Sequence, residues 1–238
     1  MANENIFVIK LGGSNISKSK DDIFDFAYLA EFKKAIEPAL ASGKKFFLTL
    51  GGGFVARMYR DLAKEAGVTE TEQLHWIGTT VNVLNGELVR AYFNDIADAG
   101  VYKYDDYYDA TTLQIIKQLK VGGGGRPGHS GDVDAILAAK KLGVETIFSL
   151  KNIDGIYSAD PKVDPSAVRK EKLSWDEYFE IIGWKDSHEP GGNYPIDPVA
   201  ARMAKEAGLT FIITLGSDLE NFNKALNGGK FTGTIVTD

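Results

Sequence analysis

The chain has 238 residues, 44% of them hydrophobic and 25% charged, with a net charge of −6 and no cysteine. That suits one large α/β core or two lobes, argues against a nucleic-acid partner, and excludes disulfides, thiol catalysis and zinc–thiolate sites. The segment before Lys10 lacks a basic n-region, and the apolar run there is too short for a signal peptide or a membrane span. A soluble cytoplasmic protein is expected.

Strand and helix patterns alternate, which predicts a mostly parallel sheet covered by helices on both faces. The first strand, about 7–11, stops at Gly12-Gly13-Ser14. A helix over 26–41 follows, with Phe26, Leu29, Phe32, Ile36 and Leu40 on one face and Gly43 at its end. The second strand, 45–50, stops at Gly51-Gly52-Gly53. The next helix starts just after Gly53 and runs to Glu65. A long helix is predicted over 72–97 and a short strand over 101–104. Asp105-Asp106-Tyr107-Tyr108-Asp109 reads as a solvated acidic loop. Residues 113–121 run into a third glycine cluster, Gly122-Gly123-Gly124-Gly125. A helix over 133–142 and a strand over 146–150 come next. Residues 151–173 and the Gly/Pro-rich stretch 183–198 read as loops. Asp197 then caps a helix with Pro198 at its first position and Gly208 at its close. Strands over 209–215 and 234–237 finish the chain. No linker separates two independent units, so one domain is expected, with an N-terminal half (1–145) and a C-terminal half (146–238) around one cleft.

Three strands ending in glycine clusters suggest backbone N–H groups brought close to an anion, and three such turns on one sheet suggest a polyphosphate. Lys10 is the odd residue in the first strand. An ammonium in an apolar run is costly unless it reaches a partner, and the glycines beside it offer a phosphate. Arg57 lies one turn into the helix that follows Gly53, where a guanidinium and a helix N-terminus make an anion site. Gly123-x-x-x-x-Gly128-His129-Ser130 has the spacing of a P-loop, but His129 stands where the phosphate-binding lysine belongs, so a true P-loop is not expected. The loop after the 146–150 strand carries Lys151, Asp154, Tyr157 and Asp160 at the carboxyl end of the sheet, where open α/β sheets bind ligands. An aromatic face there suits a purine and a carboxylate suits ribose hydroxyls; two Asp-anchored turns with a packed tyrosine would look the same. His75, His129 and His188 lack metal spacing and read as structural.

In this order the residues resemble the amino-acid kinase superfamily, and within it the archaeal-type uridylate (UMP) kinases. The anchors are Lys10-Leu-Gly-Gly-Ser14, Gly51-Gly-Gly-Phe-Val-Ala-Arg57, the Gly78–Asn85 helix, Pro127-Gly-His-Ser-Gly-Asp132, the 152–161 loop, Asp197-Pro-Val-Ala-Ala201 and Phe231-Thr-Gly-Thr234. The resemblance implies a three-layer αβα sandwich on a mostly parallel sheet of about eight strands, assembled as a homo-oligomer, usually a hexamer. It implies transfer of the γ-phosphoryl of ATP, with Mg2+, to UMP without a covalent intermediate. Lys10, Gly12, Gly13, Gly53, Arg57, Lys151, Asp154, Tyr157 and Asp160 would then serve ATP. Lys10 and Arg57 would be catalytic, with Asp132 at the acidic position that orients catalytic lysines in relatives. Gly52, His75, Gly124, Gly125, Ser130 and Gly131 would form the acceptor side. No residue is assigned directly to the metal. No membrane or nucleic-acid partner is implied.

The acceptor side departs from the family pattern. His75 stands where uridylate kinases carry a ribose-binding aspartate, and Gly124 or Gly125, and Gly131, stand where they carry base-reading threonines. Losing such polar groups changes discrimination by orders of magnitude. Two other readings therefore stay open: a nucleotide-binding oxyanion store of the molybdate type on the same scaffold, and a kinase for another small phosphate or carboxylate.

Overall fold

The computed structural model describes residues 3, 5–109, 113–128, 130–184 and 194–238. His129, His188 and the run Glu189-Pro190-Gly191-Gly192-Asn193 lie outside them.

In chain order the elements are β1 (Ile6–Leu11), α1 (Gly13–Ile16), α2 (Phe26–Ala41), β2 (Lys45–Leu50), α3 (Gly53–Glu65), α4 (Thr71–Tyr92), α5 (Asp106–Asp109), β3 (Leu119–Gly122), α6 (Gly131–Leu142) and β4 (Thr146–Lys151). They continue with β5 (Ile156–Tyr157), β6 (Arg169–Lys170), β7 (Lys172–Leu173), α7 (Trp175–Ile182), α8 (Pro198–Glu206), β8 (Thr210–Leu215), α9 (Leu219–Leu226) and β9 (Thr234–Val236). Seven strands form one sheet in the order β3-β2-β1-β4-β8-β9-β7. The first five run parallel, and β9 pairs antiparallel with β8. β5 and β6 form a separate antiparallel ribbon, so the expected sheet of about eight strands has seven.

Alternation along β1 builds the three layers. Val8 joins the apolar core under α6, α7 and α8, while Ile9 and Leu11 join the core under α2, α4 and α9. Successive side chains of a strand point to opposite faces, so a buried strand that is apolar on both must be covered on both. Lys10 falls on the Val8 face, in register with Thr49 of β2 and Ser149 of β4. From β1 the chain passes to β2 and β3 on one side, then returns to β4 on the other. The carboxyl ends of β1 and β4 therefore flank the switch point where open α/β sheets hold ligands.

Several local expectations need correction. The predicted strand at 101–104 is a single bridge, Tyr102 to Gly122, because Tyr104 turns into a left-handed conformation (φ 50°) just beyond it. The long helix ends at Tyr92, and a looser turn from Phe93 carries the chain to Ala97. The acidic run is not a plain solvated loop. It contains α5, Tyr107 is buried, and its hydroxyl donates to the Gly123 carbonyl at 3.0 Å. Arg126 packs over the Tyr108 ring and pairs with Asp105 at 2.7 Å and Asp109 at 3.5 Å. The stretch 151–173 holds β5, β6 and β7. Helices α7 and α9 were not anticipated, although Ser174 and Glu177 form a complete capping box at the start of α7. Among the described residues no helix is long and apolar enough to cross a membrane.

Candidate active site

A cavity of about 730 Å³ opens at the carboxyl ends of β1 and β4. Its floor is a cluster of three charges, Asp132 and Lys151 buried and Lys10 half-buried. Asp132, at the start of α6, accepts from Lys151 Nζ at 2.9 and 3.1 Å and lies 3.3 Å from Lys10 Nζ. The Asp197 backbone N–H adds a further bond to Asp132 at 3.2 Å. Lys10 comes from β1 and Lys151 from β4, so the two strands that bracket the switch point each supply an ammonium.

The charge states follow from these contacts. Burial pushes the Asp132 carboxyl up, but the Lys10 and Lys151 ammoniums together outweigh it and hold it well below the usual carboxylate range. Burial lowers Lys151, Asp132 restores part of the loss, and Lys10 lowers it again, leaving Lys151 at about 8. The cluster carries two cations against one anion. A buried excess of positive charge is costly unless an anion from outside offsets it.

The glycine turns complete the floor. A Cβ on Gly13 would come within 2.7 Å of the Gly51 carbonyl oxygen, and one on Gly51 within 2.7 Å of the Gly13 nitrogen. The first and second turns thus touch backbone to backbone, a contact that any side chain would break. Asn85 of α4 fixes the second turn by donating to the Gly51 carbonyl at 2.9 Å. At the start of α3, the Phe54 N–H donates to the Ser17 carbonyl and the Val55 N–H to the Ser17 hydroxyl. Gly53 and Arg57 of the same turn and helix line the cavity.

The wall opposite is the 151–162 loop with α7. Asp154 takes Arg169 at 3.0 Å and the Tyr157 hydroxyl at 3.0 Å, which ties the loop to the β5–β6 ribbon. Asp160 anchors a turn by accepting from the Lys162 N–H at 2.9 Å. Ile181 and Ile182 of α7, with Ile153, Ile156, Pro195 and Leu215, give the far end of the cavity an apolar lining.

Sequence reasoning placed eleven residues that the structure brings around this cavity: Lys10, Gly12, Gly13, Gly53, Arg57, Ser130, Asp132, Lys151, Asp154, Tyr157 and Asp160. Gly52, His75, Gly124, Gly125 and Gly131 do not line it. Gly52, His75 and Gly124 gather beside it on or against α4, whereas Gly125 and Gly131 sit against or at the start of α6, a Cβ on Gly131 standing 4.0 Å from Lys10 Cε. A Cβ on Gly52 would meet Asn82 at 2.8 Å, and one on Gly124 would meet Thr79 at 2.7 Å. His75 is buried on the same helix, and the Gly125 N–H donates to Asp134 at 3.2 Å. The expectation of three glycine turns lining one anionic site is corrected here: the third turn packs its glycines against Tyr107, Val83 and Thr79 instead.

Two parts of the site escaped sequence reasoning. Lys151 was expected to serve ATP with no partner named for it, and the structure puts its ammonium on Asp132; the signal was a lysine at the end of a buried strand, close to the pattern of Lys10. The apolar lining from α7 was missed with that helix.

The amino acid kinase family matches residues 5–214. The uridylate kinase of Archaeoglobus fulgidus is 34% identical over 96% of this chain and 98% of its own length. That of Methanocorpusculum labreanum is 32% identical over 96% and 94%. The crystal structure of the Archaeoglobus fulgidus uridylate kinase superposes with a TM-score of 0.78 at 33% identity, over 97% of this chain and all of that one. A match across nearly the whole chain, on a scaffold that gathers two lysines and an aspartate at its switch point, means that the chain belongs to the amino acid kinase family and is an ATP-dependent kinase.

Proposed function

We propose that this protein is a nucleoside monophosphate kinase that moves the γ-phosphoryl of ATP to UMP, giving UDP. The observation that carries the reading is the Lys10–Asp132–Lys151 cluster, whose surplus positive charge lines the cavity beside the touching glycine turns. Phosphoryl transfer needs positioning and neutralisation of charge on the equatorial oxygens rather than covalent chemistry. Lys10 and Lys151 supply ammoniums to the transferred group, and Gly12, Gly13 and Gly53 line it. Asp132 touches no substrate atom in this scheme; it holds the two ammoniums in place and is a positioning residue. Arg57, expected to serve ATP, borders the cavity beside Gly53 on the α4 side, and in this scheme it also reaches the acceptor's phosphate. The acceptor is already anionic and nucleophilic, so no general base is required.

The apolar end of the cavity takes the adenine, with Tyr157, Asp154 and Asp160 on the nucleoside side. The acceptor nucleoside lies along α4, reached by Gly52, His75, Gly124, Gly125, Ser130 and Gly131. Mg2+ would supply further neutralisation on the nucleotide phosphates. Among the described residues, however, no group of three or more His, Asp or Glu side chains is placed to hold a metal. Two of the carboxylates that line the cavity are committed, Asp132 to the lysines and Asp197 to the Val199 and Ser130 N–H groups. No step is therefore assigned to the metal.

Self-association into a hexamer in the cytoplasm belongs to the same reading. α3 and α4 leave Tyr59, Leu62, Leu84 and Leu88 exposed, and a second copy would cover them.

The deciding experiment is ADP release from ATP and Mg2+ against a panel of nucleoside monophosphates and small acids. Turnover with UMP well above the other acceptors is expected. Tight ATP binding with no turnover on any acceptor would sink the reading in favour of nucleotide-dependent storage. Turnover on a different acceptor would keep the kinase and replace UMP.

A further inference from the structure

Arg57 and Arg60 sit three residues apart on α3 and so project from one side of the helix. Arg57 borders the cavity next to Gly53. Arg60 is half-buried, and its guanidinium lies across Gly78 of α4, with Nη1 3.8 Å from where a Cβ on that glycine would stand. Neither arginine has a carboxylate within ion-pair distance among the described residues; the nearest charges acting on Arg60 are Arg57, which opposes it, and the neighbouring Asp61, which favours it. Burial, then the Arg57 charge, push the Arg60 guanidinium down. A cation held part-buried beside another cation is a cost in the free protein.

The position says what would offset it. One residue after Gly78, Thr79 carries the third glycine turn; one turn further, Asn82 carries the second. Arg60 therefore borders the stretch of α4 on which the two acceptor-side turns converge, on the side where Arg57 enters the cavity. A single guanidinium forks onto two oxygens of one anion, enough for a carboxylate. A phosphate monoester dianion has three terminal oxygens and nearly two charges, and two guanidiniums fit both.

We propose that Arg60 joins Arg57 in a two-guanidinium subsite that holds the acceptor's phosphate and selects a phosphate dianion over a carboxylate. This rests on the kinase reading above and adds a substrate-binding residue to it.

The test compares the wild-type protein with Arg60→Gln and Arg60→Lys. Initial rates with UMP should show the acceptor KM raised about tenfold or more in R60Q, in line with the loss of one charge-assisted fork, with kcat and the ATP KM within about twofold. R60K should recover part of the loss. In parallel, inorganic phosphate should raise the thermal midpoint of the wild type more than that of R60Q. An unchanged acceptor KM in R60Q overturns the proposal, as does a loss confined to kcat, which marks Arg60 as structural. If the wild type turns over no nucleoside monophosphate, the nucleoside monophosphate reading fails by itself. The phosphate-induced midpoint shift then decides Arg60, and equal shifts in the two proteins overturn its anion site.

Discussion

The first two glycine turns and the third look alike along the chain and differ in what they meet. Gly13 and Gly51 meet each other, backbone on backbone, beside two ammoniums. Gly123 and Gly124 meet side chains and backbone of α4, at Val83 and Thr79. The first arrangement keeps side chains out so that N–H groups and charges can face a ligand. The second keeps them out so that a strand end can lie flush on a helix. A glycine cluster by itself thus reports close approach, not what approaches; the lysine or arginine beside it carries the ligand information. Substitutions in the two regions should accordingly fail in different ways.

The largest effect is expected at Lys10. Lys10→Ala removes an ammonium from the developing charge and should lower kcat by about a thousandfold, the scale of deleting one preorganised electrostatic contact. Asp132 keeps Lys151 as a partner at 2.9 Å, so the thermal midpoint should move little. Near-wild-type turnover would remove Lys10 from the mechanism and make the first turn a packing device like the third.

Asp132→Asn should damage both activity and stability. It leaves buried Lys151 close to half-buried Lys10 without their shared carboxylate, a change that costs about 3–5 kcal/mol when one partner of a buried ionic cluster is removed. Denaturant unfolding would measure it. Because Asp132 is the main influence raising Lys151, the variant's Lys151 should also drop below its native value of about 8 and sit largely neutral at neutral pH. An Asn variant as stable as wild type would mean that the lysines are already neutralised some other way.

How far the chain disclosed this division depends on what marks a residue as odd. Lys10 stands out because an ammonium interrupts an apolar strand, and Arg57 because it follows a glycine turn by one helical turn. β2 and α3 match their expected spans, since their glycine and apolar boundaries are sharp. The Lys10–Lys151 pairing was not legible. It depends on β1 and β4 being neighbours across the switch point, and strand order is a property of topology rather than of local pattern. α7 was lost for another reason: it is only 8 residues long and sits between turn-rich segments, so its apolar residues gave too short a period to read and the Ser174–Glu177 capping box was the signal that announced it. The packing role of Gly122–Gly124 was hidden because its partners, Tyr107 and the Thr79 and Val83 stretch of α4, are distant in the chain and are set by the fold rather than by local pattern.

A moderate effect is expected in the pH profile. Lys151 at about 8 should lose its proton as pH rises through that value, and with it one of the two charges on the transferred phosphoryl. Its folded value lies below the usual lysine range, so the group is cationic and competent below about 8 and neutral above. kcat should therefore fall on the alkaline side with an apparent pKa near 8, moved upward where bound phosphate charge favours the ammonium. Lys151→Arg keeps its charge throughout the accessible range and should abolish that limb, at some loss of rate from altered geometry. An alkaline limb that survives in K151R belongs to another group.

The smallest effect, and the one that bears most directly on the comparison, is expected at Gly124. Gly124→Ala places a Cβ 2.7 Å from Thr79 Cγ2 and 2.8 Å from its carbonyl oxygen. The side chain can rotate but the helix backbone cannot, so the third turn must lift off α4, at a cost of about 1–3 kcal/mol for overpacking. That loss should appear in the unfolding midpoint and, because the turn borders the acceptor side, in the acceptor KM. The ATP KM should stay unchanged, since Lys10, Asp132 and Lys151 do not rest on this turn. A raised ATP KM with normal stability would reverse the assignment: the third turn would then face the nucleotide phosphates as the first two do, and its contacts with α4 would be incidental to a shared anion site.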